Sequence, residues 1–168
     1  MKKERAAEIR RTTDEVGKML MRRKQSIAVA ESVTAGLVQN ALASVENASL
    51  FFQGGMTTYN LGQKVRHLHI DPIHADACDC VSEKVAAEMA LNICDLFHSD
   101  WGLAVTGYAA PVPESNNKLF AFISVAFREK ILFVGKVTSP PQAPAIVQQH
   151  YLSALMRKTL ESMRKVRK

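Results

Sequence analysis

Along the chain, segments with the apolar spacing of an amphipathic helix alternate with short apolar segments typical of strands. Residues 4–24 carry one apolar stripe between charged positions, which predicts an amphipathic helix. The apolar run 26–30 predicts a strand, and after a polar turn the helical pattern resumes at Leu37. The β-branched and aromatic segment Met56–Tyr59 predicts a second strand, followed by a short helix. The first part of the chain therefore alternates between helix and strand.

The middle of the chain continues this alternation. Asp71-Pro72 is a turn signal, because the residue before a proline is pushed out of the helical region. Ser82 predicts the start of a helix, since a serine hydroxyl can cap the first turn. The segment Trp101–Thr106 predicts a buried strand, and a loop extends from it to Asn117. Loops at strand ends often carry chemistry, so this loop is a candidate site.

The last third predicts an antiparallel hairpin and a helix. The strands are Phe120–Phe127 and Ile131–Val137, and because both runs are apolar on both faces we expect helices to cover them on both sides. Prolines precede the last helix, from Ala145 to about Arg164. This order of elements predicts an α/β protein with a three-layer α/β/α architecture and a mixed sheet of about five strands. Residues 1–168 are expected to form one domain.

Composition narrows the class of protein. The chain has 168 residues, of which 47% are hydrophobic and 23% charged, so a disordered or fibrous protein is excluded. No run of about 18 apolar residues is present, and the N-terminal segment does not resemble a secretory leader. The three cysteines are an odd number without the spacing of a disulfide framework. We expect reduced thiols and a cytoplasmic protein without membrane association.

The net charge of +6 is concentrated at the two ends of the chain. Residues 1–24 and 151–168 each carry +5, which leaves the middle at −4. A nucleic-acid interface would need this positive charge on one face, together with polar or aromatic side chains that contact the bases. The two ends of the chain lack such side chains. The basic residues suit the solvated faces of amphipathic helices, so binding to nucleic acid is not expected, although an anionic partner remains an alternative.

The turn 31–36 is the first candidate for chemistry. Ser32 would follow a buried strand and lie beside backbone N–H groups that can hold a developing oxyanion or a phosphate. A serine in this position is a candidate nucleophile. The alternative is structural: Ser32 or Thr34 caps the next helix, and Ala35-Gly36 lets that helix pack close to the sheet.

A tyrosine and a lysine form the second candidate. Lys64 lies five residues after Tyr59. A desolvated lysine can have a pKa low enough to take a proton from a serine. The alternative places Tyr59 in the core at a strand end and Lys64 in solvent.

Three histidines and two cysteines between residues 67 and 80 raise the question of a metal site. The spacing of His67, His69, His74, Cys78 and Cys80 matches no common structural zinc pattern. We therefore predict no metal site, and we expect surface histidines and one or two buried cysteines. Cys94 lies in an apolar helix and is expected in the core.

Four segments together resemble the CinA C-terminal domain family, whose active members are nicotinamide mononucleotide amidases. The segments are Ala30–Gly36, Gly54-Gly55 with Tyr59 and Lys64, Val81–Ala86 with Met89-Ala90, and Leu103–Pro111. The resemblance covers nearly the whole chain after the first helix. It implies the three-layer mixed-sheet fold and self-association into a homo-oligomer.

The resemblance also implies a reaction and a set of site residues. Ser32 would attack the nicotinamide carboxamide, Lys64 would act as base, and Tyr59 would assist proton transfer or orient the lysine, giving the acid and ammonia without metal or cofactor. The substrate-binding residues it implies are Glu31, Val33, Thr34, Gly36, Gly55, Thr106, Gly107, Tyr108 and Ala109.

The chain departs from the family pattern around the expected ligand. Ala35 stands where the family has glycine, and the loop 107–113 lacks glycines that the family has. In the segment 141–148 the family has arginines that suit a phosphate, whereas this chain has no cationic residue. Two hypotheses follow. The chain is an amidase, for the mononucleotide or a related small amide, or it is an inactive homologue that acts as a small-molecule-binding or interaction module.

Overall fold

The structure is a computed structural model that describes residues 2–166. Its centre is a five-stranded mixed sheet in the order β2-β1-β3-β4-β5, in which β1, β2 and β3 are parallel and β4 and β5 are antiparallel. The strands are β1 (Ile27–Glu31), β2 (Phe52–Thr57), β3 (Trp101–Gly107), β4 (Leu119–Phe127) and β5 (Lys130–Ser139). The predicted mixed sheet of about five strands is therefore confirmed.

Helices cover both faces of the sheet. They are α1 (Lys2–Arg23), α2 (Leu37–Ala43), α3 (Leu61–Leu68), α4 (Pro72–Ala77), α5 (Glu83–Phe97) and α6 (Pro144–Lys165). Helices α1, α2 and α6 pack on one face, and α3, α4 and α5 pack on the other. This arrangement confirms the three-layer α/β/α architecture.

The strand β1 shows how the sequence assigns the two faces. Ile27 and Val29 point into the core beneath α1, α2 and α6, whereas Ala28 and Ala30 face α5. The small residues let α5 lie close to the sheet. At Gly102 of β3, an added Cβ would lie 2.0 Å from the carbonyl oxygen of Ala90 on α5, so this position admits only glycine without rearrangement.

The bounds of the second strand were predicted wrongly. It covers Phe52–Thr57 rather than Met56–Tyr59, because the glycine pair lies inside the strand and not before it. Asp71 has the extended backbone expected before a proline, and its carboxylate also caps helix α4 by accepting hydrogen bonds from the amides of Ile73 and His74. Helices α5 and α6 contact both β4 and β5 from opposite faces of the sheet, as expected, although the edge strand β5 keeps exposed positions.

The basic ends of the chain lie side by side in α1 and α6. Arg164 pairs with Glu15 at 3.0 Å and Arg157 pairs with Glu8 at 3.7 Å, and all four side chains are well exposed. Such surface pairs contribute little to stability, but they place part of the positive charge on solvated helix faces, as predicted. None of the helices between residues 2 and 166 is long and apolar enough to cross a membrane.

Candidate active site

The candidate site lies at the edge of the sheet where the parallel strands end. Ser32 follows β1, Tyr59 lies two residues beyond β2, and Gly107 is the last residue of β3. Because β1 runs parallel to both neighbours, these three strand ends meet at one edge. The chain leaves β1 through α2 on one face and reaches β3 through α5 on the other, which opens a crevice between the strand ends.

Lys64 and Ser32 are in direct contact at this edge. Lys64 is 1% exposed, and its Nζ donates hydrogen bonds to Ser32 Oγ at 3.0 Å and to the Thr58 carbonyl oxygen at 2.8 Å. Burial lowers the pKa of Lys64 below its ordinary value, while the negative potential of Cys80 and Asp79 acts in the opposite direction. A buried lysine with a lowered pKa can take a proton from a neighbouring serine. The alternative that placed Lys64 in solvent was wrong.

Glu31 supports the turn that carries Ser32. Its buried carboxylate accepts hydrogen bonds from the Thr34 hydroxyl at 2.5 Å and from the amides of Gly36, Val38 and Gln39 at 3.1, 3.0 and 2.7 Å. The carboxylate thus satisfies the free amides at the start of α2. The expectation that Ser32 or Thr34 caps this helix was wrong, because Glu31 from the preceding strand does so.

Two glycines that the family resemblance assigned to substrate binding have structural roles here. Gly36 adopts a left-handed conformation with φ of 99°, and the preceding Ala35 is also left-handed with φ of 50°. An added Cβ at Gly55 would lie 2.5 Å from the Val29 carbonyl oxygen and 3.0 Å from the Gln39 side chain. Gly55 therefore permits the close packing of α2 on the sheet.

Backbone donors are available beside the serine. The Ser32 amide donates to the Val105 carbonyl oxygen at 3.0 Å, whereas in residues 2–166 the amides of Val33 and Thr34 donate no hydrogen bond. Gln148 Nε2 donates to the Val33 carbonyl oxygen at 2.8 Å. Because this carbonyl and the Thr34 N–H belong to one planar peptide unit, Gln148 fixes the direction of that N–H. An oxyanion at Ser32 thus has two candidate donors.

A strained turn brings a carboxylate to the site. Asp79 and Cys80 both have left-handed backbones, with φ of 48° and 60°. The Thr106 hydroxyl holds the turn by donating to the Cys80 carbonyl oxygen at 2.8 Å, and the Tyr108 hydroxyl donates to the Asp79 carboxylate at 2.8 Å. Burial and this hydrogen bond raise the pKa of Tyr108, so its ring stays neutral. Strain of this kind is typical of functional sites.

Tyr59 lies at the rim of the site. Its side chain is 71% exposed, so the alternative that placed it in the core was wrong. Among the described residues, no hydrogen bond joins the Tyr59 hydroxyl to Lys64 or to Ser32. The Tyr59 side chain is therefore accessible to a bound molecule, and it does not hold Lys64 in place.

The cavity at this edge has a volume of about 420 Å³. Eight residues of the predicted site line it, namely Ser32, Val33, Tyr59, Lys64, Thr106, Gly107, Tyr108 and Ala109. The lining does not include Glu31, Thr34, Gly36 or Gly55. Ala110 and Val112 also line it, and they belong to the loop that the sequence marked as a candidate site. The lining residues that sequence reasoning missed are Asn60, Leu61, Asp79, Cys80, Val81, Pro144 and Gln148. The site is thus assembled from the predicted motifs together with a turn after α4 and the start of α6.

The histidines and cysteines between residues 67 and 80 do not converge. His67 contacts the Gln63 side chain, and the His74 ring contacts the Ser82 hydroxyl at 2.9 Å. Across residues 2–166, no group of three or more His, Cys, Asp or Glu side chains could hold a metal ion. The three cysteines are free thiols. Cys94 is buried, which confirms it as a core residue, and this burial raises its pKa to about 11.

Comparison with known sequences points to one family. A family model described as the CinA C-terminal domain matches residues 9–162. A CinA-like protein of Rippkaea orientalis is 33% identical over 124 residues, which cover 74% of this chain and 29% of the relative. A CinA-like protein of Chlorobium limicola is 40% identical over 103 residues, which cover 61% of this chain and 24% of the relative. The chain spans about a quarter of the length of the curated relatives it matches.

Solved structures show the same fold. The competence damage-inducible protein A from Klebsiella pneumoniae superposes with a TM-score of 0.89 at 22% identity, covering 95% of this chain and 99% of that chain. A CinA superfamily protein from Escherichia coli superposes with a TM-score of 0.80 at 24% identity, covering 92% of this chain and 87% of that chain. At this identity the likeness establishes the architecture.

Proposed function

The chain belongs to the CinA C-terminal domain family, and from this premise we propose that it is an amidohydrolase of the nicotinamide-nucleotide amidase type. The reaction converts a carboxamide and water into a carboxylic acid and ammonia. The substrate is nicotinamide mononucleotide or a related small amide. The observation that carries the proposal is the contact of a buried lysine with a serine at the end of a parallel strand.

The first half of the reaction forms an acyl-enzyme. Neutral Lys64 takes the proton of the Ser32 hydroxyl as Oγ bonds to the carboxamide carbon. The carbonyl oxygen becomes an oxyanion, for which the free amides of Val33 and Thr34 are the candidate donors. Lys64 then returns the proton to the amide nitrogen, the carbon–nitrogen bond breaks, and ammonia leaves.

The second half regenerates the serine. Water attacks the ester carbon of the acyl-enzyme, and Lys64 accepts its proton. The bond between the carbon and Ser32 Oγ then breaks, and the proton on Lys64 returns to the serine as the acid leaves. Tyr59, at the exposed rim, would contact the substrate or assist the proton transfer.

The test is ammonia release from nicotinamide mononucleotide by the purified protein, with the nicotinate product identified by chromatography. We expect turnover in the wild type and its loss in Ser32→Ala. Ser44→Ala is the matched control, because Ser44 is an exposed residue at the end of α2 that does not line the cavity, and its hydroxyl donates to the Asn40 carbonyl oxygen. Turnover that survives Ser32→Ala would contradict the proposal.

The alternative hypothesis is an inactive homologue that binds small molecules. It would be favoured if the folded wild type releases no ammonia from any pyridine carboxamide but still binds one in calorimetry. Competition by the same amide against a labelled probe would then locate the binding at the cavity.

We also propose that the chain forms a homo-oligomer in the cytoplasm. The sequence pair Phe51-Phe52 offers little apolar surface for self-association, because Phe51 is fully buried. The remaining support is a mostly apolar groove of about 400 Å³ between α1, α2 and α6, to which Ile9, Leu37 and Leu152 contribute. Light scattering that gives the mass of one chain would refute self-association.

We do not propose nucleic acid as a partner. Strongly salt-dependent binding of the protein to nucleic acid would contradict this expectation.

A further inference from the structure

The ionisable groups of the cavity lining are few. Lys64 and Asp79 are the only lysine, arginine, aspartate or glutamate residues in this lining, and burial raises the pKa of the Cys80 thiol and that of the Tyr108 hydroxyl. The Nζ of Lys64 is buried and already donates to Ser32 Oγ and to the Thr58 carbonyl oxygen. Among the described residues the lining therefore offers a phosphate no exposed, unengaged cation, and the acidic side chain that it exposes is Asp79.

The start of helix α6 does not replace the missing cation. A helix N-terminus can bind a phosphate through free amides, but Pro144 in the first helical position has no N–H. The amides of Ile146 and Val147 both donate to the Ala143 carbonyl oxygen, at 2.8 and 3.2 Å. The guanidinium of Arg5 lies near this turn, where it donates to the Ile146 carbonyl oxygen, but it does not line the cavity.

The same cavity suits a positively charged ring. Asp79 is exposed at the cavity, and the Tyr108 hydroxyl and the left-handed turn hold its carboxylate in position. The rings of Tyr59 and Tyr108 belong to the same lining. Aromatic faces and a carboxylate both attract an organic cation, and a carboxylate repels a phosphate.

We infer that this site takes a carboxamide on a cationic, N-substituted pyridine ring that carries no phosphate, so that a pyridinium nucleoside is preferred over the corresponding nucleotide. The carboxamide part of this inference rests on the proposed function. The preference for the nucleoside rests on the charges of the lining. This preference is the ratio of the affinity for the nucleoside to the affinity for the nucleotide, and both affinities can be measured without turnover.

The first experiment measures binding to the Ser32→Ala protein by calorimetry at low salt. The ligands are nicotinamide riboside and nicotinamide mononucleotide, which differ only by the phosphate. We expect the riboside to bind at least about tenfold more tightly. Equal affinities, tighter binding of the mononucleotide, or no binding of either would overturn the inference.

Ammonia release by the wild type separates this inference from the proposed function. If Ser32-dependent turnover occurs but favours the mononucleotide, the amidase stands and the inference fails. If neither amide is hydrolysed while Ser32→Ala binds the riboside preferentially, the inference about the ligand stands and the amidase fails.

A second variant tests the role of Asp79. Asp79→Asn keeps an acceptor for the Tyr108 hydroxyl and a residue that tolerates the left-handed backbone, but it removes the charge. We expect the ratio of riboside to mononucleotide affinity to fall by about tenfold. Asp76→Asn is the matched control, because Asp76 is exposed three residues away and does not line the cavity. A ratio that both variants leave unchanged would overturn the role of Asp79.

Discussion

The Nζ of Lys64 lies 3.0 Å from the Oγ of Ser32, although the two residues are 32 positions apart in the chain. The lysine comes from a helix on one face of the sheet, and the serine directly follows the interior strand β1. Both side chains are buried, so water does not weaken the contact. A nucleophile and its base therefore meet in a fixed geometry before any substrate arrives.

Removing the base should abolish turnover without unfolding the protein. Lys64→Met keeps most of the buried volume but has no nitrogen to accept the serine proton, so we expect turnover to fall by about a thousandfold or more. Ammonia release measures the effect. Lys18→Met is the control, because Lys18 is exposed on α1, away from the site cavity. A folded Lys64→Met protein with wild-type turnover would remove Lys64 from the mechanism.

The lowered pKa of Lys64 predicts how turnover depends on pH. Only the neutral amine can take the serine proton, so kcat/KM should rise with pH through the pKa of Lys64 in the folded protein. This pKa lies below the ordinary value of 10.5. A pH–rate profile measures the rise, and a profile that falls over this range would contradict the assignment.

The same pKa predicts the pH dependence of stability. Between the folded pKa of Lys64 and 10.5, the unfolded chain binds more protons than the folded one, so the free energy of unfolding of the wild type rises with pH. Lys64→Met lacks this contribution. We expect its stability relative to the wild type to be greatest at neutral pH and to decline towards pH 10.5. Urea unfolding at several pH values measures the difference, and a constant difference would contradict the shift.

Gln148 is expected to act through the peptide unit of Val33. Gln148→Met removes the donor to the Val33 carbonyl oxygen and frees the Thr34 N–H to turn. We expect kcat to fall by about tenfold to a hundredfold with a smaller change in KM, because the oxyanion forms only during the reaction. Gln149→Met, on the neighbouring position of α6, is the control. A change confined to KM would assign Gln148 to substrate binding instead.

Gly102 is expected to tolerate no side chain. A Cβ there would meet the Ala90 carbonyl oxygen at 2.0 Å and the Cys94 Sγ at 2.6 Å, so Gly102→Ala should lower the free energy of unfolding by about 3 kcal/mol. Gly62→Ala is the matched control. Its nearest neighbour would be 3.6 Å away, and alanine favours a helix, so we expect stability to be unchanged or to rise by up to about 1 kcal/mol. Equal midpoints in urea for the two variants would contradict the close packing of α5.

The architecture could be predicted from the sequence because apolar residues recur with a clear helical or strand spacing in most of its elements. Ser82 caps α5 as expected, and Trp101–Thr106 forms a buried strand. The start of β2 was missed, because Gly54 and Gly55 suggest a turn and only pairing with β1 makes them extended. The local pattern shows where a strand ends, but its start depends on the neighbouring strand.

The site was only partly predictable for a related reason. Ser32, Tyr59 and Lys64 were identified because their segments resemble family motifs, but the burial of Lys64 arises from packing between α3 and the strand ends. Asp79 carries no local signal of its role, since it reaches the cavity through a left-handed turn. Glu31 was assigned to the ligand, although its carboxylate is used entirely within the turn.

The position of β1 between β2 and β3 has a consequence for synthesis on the ribosome. Both neighbours of β1, at residues 52–57 and 101–107, are made after it. One edge of the strand that precedes Ser32 therefore stays unpaired until β3 has been made, when more than half of the chain has emerged. The nucleophile and its base can only become a working pair late in translation, so a nascent chain that stops before β3 is expected to be catalytically silent.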